Sequence, residues 1–157
     1  MNDAIIVEKL EKIFYQCDKH IVRINSSTNE LKSIMPLDER KYRTLLEEEI
    51  KTLDQFLFRF AKLQDIMGQK LFRTILLFLK EEIEGKPFID ILNLMEKLTL
   101  LDSADSWKEL RDDRNELAHN YEDEPTIASE IINRLFYKKD ILIGIYQKIK
   151  EYYKERI

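Results

Sequence analysis

Three glycines and three prolines in 157 residues leave this chain few places to turn sharply. A fold of many short strands needs turn residues every few positions, and long helices do not. The apolar residues also recur at steps of three and four, the period of a helix with one buried face. Together these two features predict an all-α chain.

The first helix is expected over residues 3 to 24, with Ile6, Leu10, Ile13, Cys17, Ile21 and Ile24 on one stripe. Asn25-Ser26-Ser27-Thr28-Asn29 should break it, with a helical turn over Glu30–Ile34 before Pro36. A second helix starts after Asp38, a suitable N-cap. It runs through Leu45, Leu46, Ile50, Leu53, Phe56, Leu57, Phe60 and Leu63, bends at Gly68, and resumes through Leu71, Ile75 and Leu79 to about Glu84. Gly85-Lys86-Pro87 is a stop signal. A third helix covers Phe88–Leu100. A fourth, capped by Asp102 or Ser103, carries Trp107, Leu110 and Leu117 and ends before Pro125. The last is capped by Thr126, with Ile131, Leu135, Leu142, Ile145, Ile149 and Tyr152 inward. The expected architecture is one domain over residues 1–157, a mostly antiparallel bundle of four to five long helices with short connections.

A lone Cys17 allows no internal disulfide and no cysteine-rich zinc site. No basic-then-apolar leader opens the chain, and no apolar run approaches the ~20 residues that span a bilayer. A cytoplasmic protein is expected. The net charge of −4 disfavours a general nucleic-acid binder. Residues 134–156 nevertheless hold seven basic side chains against three acidic ones. That segment reads either as a local basic patch or, more simply, as a solvated helix face with cations near a helix C-terminus.

The densest chemistry lies in Arg114-Asn115-Glu116-Leu117-Ala118-His119-Asn120-Tyr121. A guanidinium is permanently charged and grips phosphate oxygens in a fork. An imidazole gives and takes protons near pH ~6.5. Asn115 and His119 are four apart and share a helical face. Arg114 and His119 are five apart, about 140° around an ideal helix. A site using both therefore needs a departure from ideal geometry or a second copy of the chain. Gln64 and Asp65 are candidates to orient Arg114 or His119 from a neighbouring helix. Blander readings stand beside these: His119 at a helix end facing the dipole, Arg114 paired with Asp113 or a neighbour of Glu116, Tyr121 a half-buried aromatic, Asp65 a polar residue on a wet face. Asp112 and Asp113 should point away from any anion or orient Arg111 and Arg114. His20, the other histidine, reads as structural or exposed. No Gly-rich phosphate loop, metal-binding histidine pair or nucleophile elbow is present, and neither a metal nor a cofactor is expected.

Arg114, His119 and Tyr121 resemble the R-x4-6-H-x-Y motif of HEPN-domain ribonucleases, with Asn115 matching the asparagine after the arginine. Phe56-Leu57-Phe58-Arg59-Phe60-Ala61-Lys62-Leu63-Gln64-Asp65-Ile66-Met67-Gly68 is similar to the second-helix signature of HepT-like toxins from HepT–MntA modules. The resemblance implies a helical homodimer that cleaves RNA, tRNA or mRNA, without a metal, at a cleft lined by the Arg114 and His119 pairs of both copies. It also implies a minimal nucleotidyltransferase antitoxin that transfers AMP to Tyr121, as in type VII toxin–antitoxin systems. Bulky anionic AMP two residues from His119 would exclude RNA and repel its phosphates. Two rival readings keep the fold without the cleavage: a non-catalytic HEPN-like substrate-binding or regulatory subunit of a nucleotidyltransferase, and a plain helical scaffold.

Overall fold

The computed structural model describes residues 2–120 and 123–157, with the backbone alone at Asn120. Among them the chain is all-helical. Its elements are α1 (Asp3–Leu31), α2 (Glu39–Arg43), α3 (Glu47–Ile66), a π-helical turn (Met67–Leu71), α4 (Phe72–Phe78), α5 (Phe88–Lys97), α6 (Ala104–Asn120) and α7 (Pro125–Lys154). The expected bundle is thus observed, with several boundaries moved.

The first helix does not break at Asn25–Asn29. It continues to Leu31 because Ser27 and Thr28 are buried and send their hydroxyls back to carbonyls one turn earlier, Arg23 and Ile24, each at 2.8 Å. Polar side chains that satisfy themselves on the helix cost it little. Asp38 does cap a helix, accepting from the Lys41 amide at 2.7 Å, but α2 ends after five residues. A new start follows at Glu47, where the Glu49 carboxylate accepts the Leu46 amide at 2.8 Å. Leu46 and Ile50, apolar positions of the expected run, are exposed. Ser103 caps α6, accepting from the Ser106 amide at 3.2 Å. Pro125, not Thr126, opens α7; the Thr126 hydroxyl instead donates to Glu39 at 3.1 Å.

The expected helix to Glu84 stops at Phe78. There the Glu81 amide reaches back to Leu76 and the Lys80 amide to Leu77, both at 3.0 Å, with Lys80 at φ 66°. This paired closure around a left-handed residue is normally given to glycine. The same device ends α5 through Thr99, φ 61°, so that helix stops short of Leu100. Gly85, φ 75°, lies in the following turn.

α1 packs along α3, α6 along α7, and α4 against α1 and α5. The core runs through Leu10, Ile24, Phe56, Phe60, Leu71, Ile75 and Ile149. Asn133 of α7 clamps the link between α1 and α2: its side chain accepts the Leu37 amide at 2.8 Å and donates to the Leu37 carbonyl at 2.7 Å. On α7 the inward residues near the C-terminus are Tyr146 and Tyr153, not Ile145 and Tyr152, which are half-buried. The phenols decide this, because each finds a carboxylate across the bundle. Tyr146 donates to Asp18 at 2.7 Å and Tyr153 to Glu11 at 2.8 Å.

These groups set an alkaline limit on the fold. Burial, then Asp18, pushes the Cys17 thiol up from 9.0 to about 12. Burial and the hydrogen bond to Glu11 push Tyr153 up to about 12, and burial with the Asp18 hydrogen bond raises Tyr146. A raised folded-state pKa means the fold binds the proton more tightly than the unfolded chain. That contribution is complete below the unfolded values and is lost as pH climbs past them. Denaturant melts from pH 7 to 11 should therefore show stability falling from about pH 9 and faster beyond pH ~10. Tyr146→Phe should cost about 1 kcal/mol at neutral pH and make the alkaline decline shallower.

Candidate functional site

The candidate site is built on α6, which has two working faces. Leu110, Asp113 and Leu117 turn toward the core and α7. Asp113, 8% exposed, is held there by Arg134 Nε at 3.1 Å and Lys138 Nζ at 3.2 Å. It points away from Arg114, one of the two outcomes foreseen for it. Trp107, Arg111, Arg114 and Asn115 form the other face, spaced by four, three and one. Together with residues of α3 and the π turn they line a cavity of about 400 Å³.

The opposite wall holds Gln64, Asp65, Gly68, Gln69 and Arg73, with Phe88 at the start of α5. Asp65 and Arg73 are eight apart and would lie about 80° apart on an uninterrupted α-helix. The π turn at Met67–Leu71 absorbs one extra residue, about 100° of rotation, and brings Arg73 back into line with Asp65. Gly68 is buried in that turn, directly under the indole of Trp107. A Cβ there would stand 3.1 Å from Trp107 Cζ2 and 3.7 Å from Phe88 Cζ. The glycine expected to bend the helix lies in the π turn that interrupts it, and is also the place where the helix and the indole approach closely.

Arg114 meets Asp65 in a two-point fork, Nη1 to Oδ1 at 2.9 Å and Nη2 to Oδ2 at 3.0 Å. Of the partners considered for Arg114, the structure selects Asp65, across the seam, over Asp113 or a neighbour of Glu116. A planar guanidinium on a carboxylate has one preferred orientation. Asp65 therefore fixes the Arg114 head and offsets its charge. Arg111 stacks over Phe88, 5.4 Å from the ring centre, and Arg73 donates to the Lys86 carbonyl at 3.3 Å. Among the described residues neither has a carboxylate at ion-pair distance, so the cavity keeps two uncompensated positive charges.

Gln64 and Asn115 line the same cavity. His119 does not. It is exposed on α6, one turn past Asn115, where the stripe Trp107–Arg111–Asn115 continues beyond the cavity. The structure thus joins Arg114, Asn115, Asp65 and Gln64 in one place and leaves His119 outside it, exposed. Tyr121 lies outside the described residues. His20 is structural: its Nδ1 lies 3.1 Å from Arg59 Nη1, and partial burial with Arg59 and Lys62 lowers its pKa. The basic stretch of α7 is largely engaged in ion pairs, with Lys148 on Asp102 at 2.9 Å and Lys150 on Asp18 at 2.7 Å. Among the described residues no group of three or more His, Cys, Asp or Glu is placed to hold a metal ion, and no helix is long and apolar enough to cross a membrane.

Arg73, Arg111, Trp107 and Phe88 were not anticipated as site residues. Trp107 and Arg111 were within reach of helical spacing, seven and three residues before Arg114. Arg73 was not, because its alignment depends on the π turn. The close approach at Gly68 can be tested. Gly68→Val should force Trp107 and Phe88 apart, destabilise the protein by about 1–3 kcal/mol and red-shift the emission of its single tryptophan, read by denaturant melts and fluorescence.

No protein family, curated protein or solved structure matches the chain in comparison.

Proposed function

We propose that this chain is an endoribonuclease of the HEPN kind, the toxin of a type VII toxin–antitoxin pair, acting as a homodimer in the cytoplasm. The observation that carries the proposal is a fixed guanidinium, Arg114, in a cavity with two further arginines that have no carboxylate at ion-pair distance among the described residues, and with the exposed His119 one helical turn past the cavity residue Asn115.

The chemistry follows from those groups. The 2′-oxygen of the strand attacks the adjacent phosphorus, and the bond from phosphorus to the 5′-oxygen breaks. The products are a 2′,3′-cyclic phosphate and a 5′-hydroxyl. One imidazole takes the proton of the 2′-hydroxyl and another gives a proton to the leaving oxygen, each transfer worth about 10²–10⁴ in rate. One chain offers a single exposed motif histidine, one helical turn past Asn115, so a two-fold pairing of this face supplies the second. Arg114 stabilises the extra negative charge on phosphorus, and Asp65 and Asn115 position it. Asp65 offsets the field of the Arg114 charge at rest, and an incoming phosphate competes for the same fork.

Purified protein should cut single-stranded RNA to cyclic-phosphate ends in the presence of a chelator. His119→Ala should lower the rate at least ~10²-fold and Arg114→Ala by a similar factor. Cleavage unaffected by His119→Ala would sink the nuclease reading.

A second reading has its own support: His119 stands outside the cavity and Asp65 already neutralises Arg114, as suits a non-catalytic HEPN-like substrate-binding or regulatory subunit of a nucleotidyltransferase. Such a subunit would bind RNA or nucleotide without cutting it. The partner assignment has a separate test. A cognate minimal nucleotidyltransferase with ATP should add the mass of one or more AMP units to the wild type and none to Tyr121→Phe. Equal gain by both proteins would remove Tyr121 as the acceptor.

A further inference from the structure

Two buried polar side chains in the cavity have no hydrogen-bond partner among the described residues. Gln64 is 3% exposed, and neither its amide oxygen nor its amide nitrogen is paired; Trp107 is 1% exposed, and its indole Nε1 is unpaired. Both line the cavity. Native interiors rarely leave such groups unmet, because each costs the desolvation of a donor or acceptor with nothing in return. A carboxamide and an indole N–H in a cleft of ligand size are groups suited to be completed by a ligand.

Their chemistry says what kind. Gln64 offers one acceptor and two donors, and Trp107 one donor. A ligand edge with one donor flanked by two acceptors answers them. Uracil carries that order along O2, N3–H and O4, and adenine along N7, the 6-amino group and N1, whereas cytosine reads acceptor, acceptor, donor. The Watson–Crick edge of guanine carries two donors and one acceptor. Phe88, half-buried beside them, supplies a ring, and Arg111 over its face adds a second flat surface. Arg73 and Arg111 bring the charge for a phosphate, with no carboxylate paired to either among the described residues.

We propose that the cavity between α3 and α6 is a nucleotide-recognition pocket, in which Gln64 and Trp107 read the edge of an adenine or a uracil while Arg73 and Arg111 hold its phosphate. This rests on the proposed ribonuclease only for the source of the nucleotide, a unit of the bound strand. Free nucleotide has the same chemistry. Gln64 then sets which residue of the strand is seated, and Arg114, on the facing wall, is positioned at the neighbouring phosphate.

The test is binding, read independently of cleavage. The full chain is titrated calorimetrically with ribose 5-phosphate and the four 5′-mononucleotides. At least one of AMP and UMP should bind about tenfold more tightly than ribose 5-phosphate, the size of one well-made base contact, with CMP and GMP both weaker than that nucleotide. Gln64→Leu, checked for an unchanged fold by circular dichroism, should bring all four within about threefold of ribose 5-phosphate. Arg111→Ala should weaken all five ligands alike. Wild-type nucleotides no tighter than ribose 5-phosphate, CMP or GMP the tightest, or a preference that survives Gln64→Leu would overturn the pocket. A short single-stranded RNA containing the preferred base, competing for the quenching of Trp107, distinguishes a strand nucleotide from a free one, and either result supports the site. Base preference without RNA cleavage leaves the pocket standing and removes the nuclease. Cleavage without base preference does the reverse.

Discussion

One extra residue in a helical turn organises the seam between α3 and α6. Without the π turn at Met67–Leu71, Arg73 would rotate off the wall that carries Gln64 and Asp65, and the cavity would have one cation fewer. The inserted turn also needs room, and Gly68 provides it by letting Trp107 lie against the backbone. The indole in turn packs on Phe72 just past the turn, ring centres 4.7 Å apart. Backbone irregularity, glycine and tryptophan therefore form one unit. A π turn gives up regular helical hydrogen bonding, and such turns are found disproportionately at functional sites. Here the compensation is visible in the packing of the indole and in the alignment of charges.

α6 carries this arrangement because its other face is anchored independently. Asp113 buries its carboxylate only because Arg134 and Lys138 converge on it from α7. A buried charge deprived of such partners is strongly destabilising. The adjacent residue, Arg114, faces the opposite way and finds its carboxylate on α3. Two consecutive residues of opposite charge thus tie α6 to two different helices. The cavity face stands on a rigid element, as a binding site requires.

The helical class and the approximate number of long helices were legible in the scarcity of glycine and proline and in the spacing of apolar residues. The contact of Asp65 with Arg114 was legible in outline, because a carboxylate near a resembling motif has few better uses. What escaped was set by tertiary contacts or by exceptions to local rules. Ser27 and Thr28 read as breakers but are satisfied within α1. Lys80 and Thr99 take left-handed positions where glycine would have announced a stop. Ile145 and Tyr152 match the apolar period, yet Tyr146 and Tyr153 go inside because Asp18 and Glu11 are there to receive them. The phase shift at the π turn leaves no mark in composition, so Arg73 had no signal at all. His119 was legible as a chemical group but not as a member of the cavity, since a motif fixes order along a helix and not the extent of a cleft.

Cys17, the sole sulfhydryl of the chain, is sealed in the core beside Asp18 and holds its proton tightly. Thiolate is the reactive form, and burial withholds both the anion and the access that alkylating reagents need. The native protein is in effect cysteine-free to such reagents. A spectroscopic label or crosslinker can be attached through one engineered surface cysteine, on α6 for example, without removing the natural residue and disturbing the packing around it.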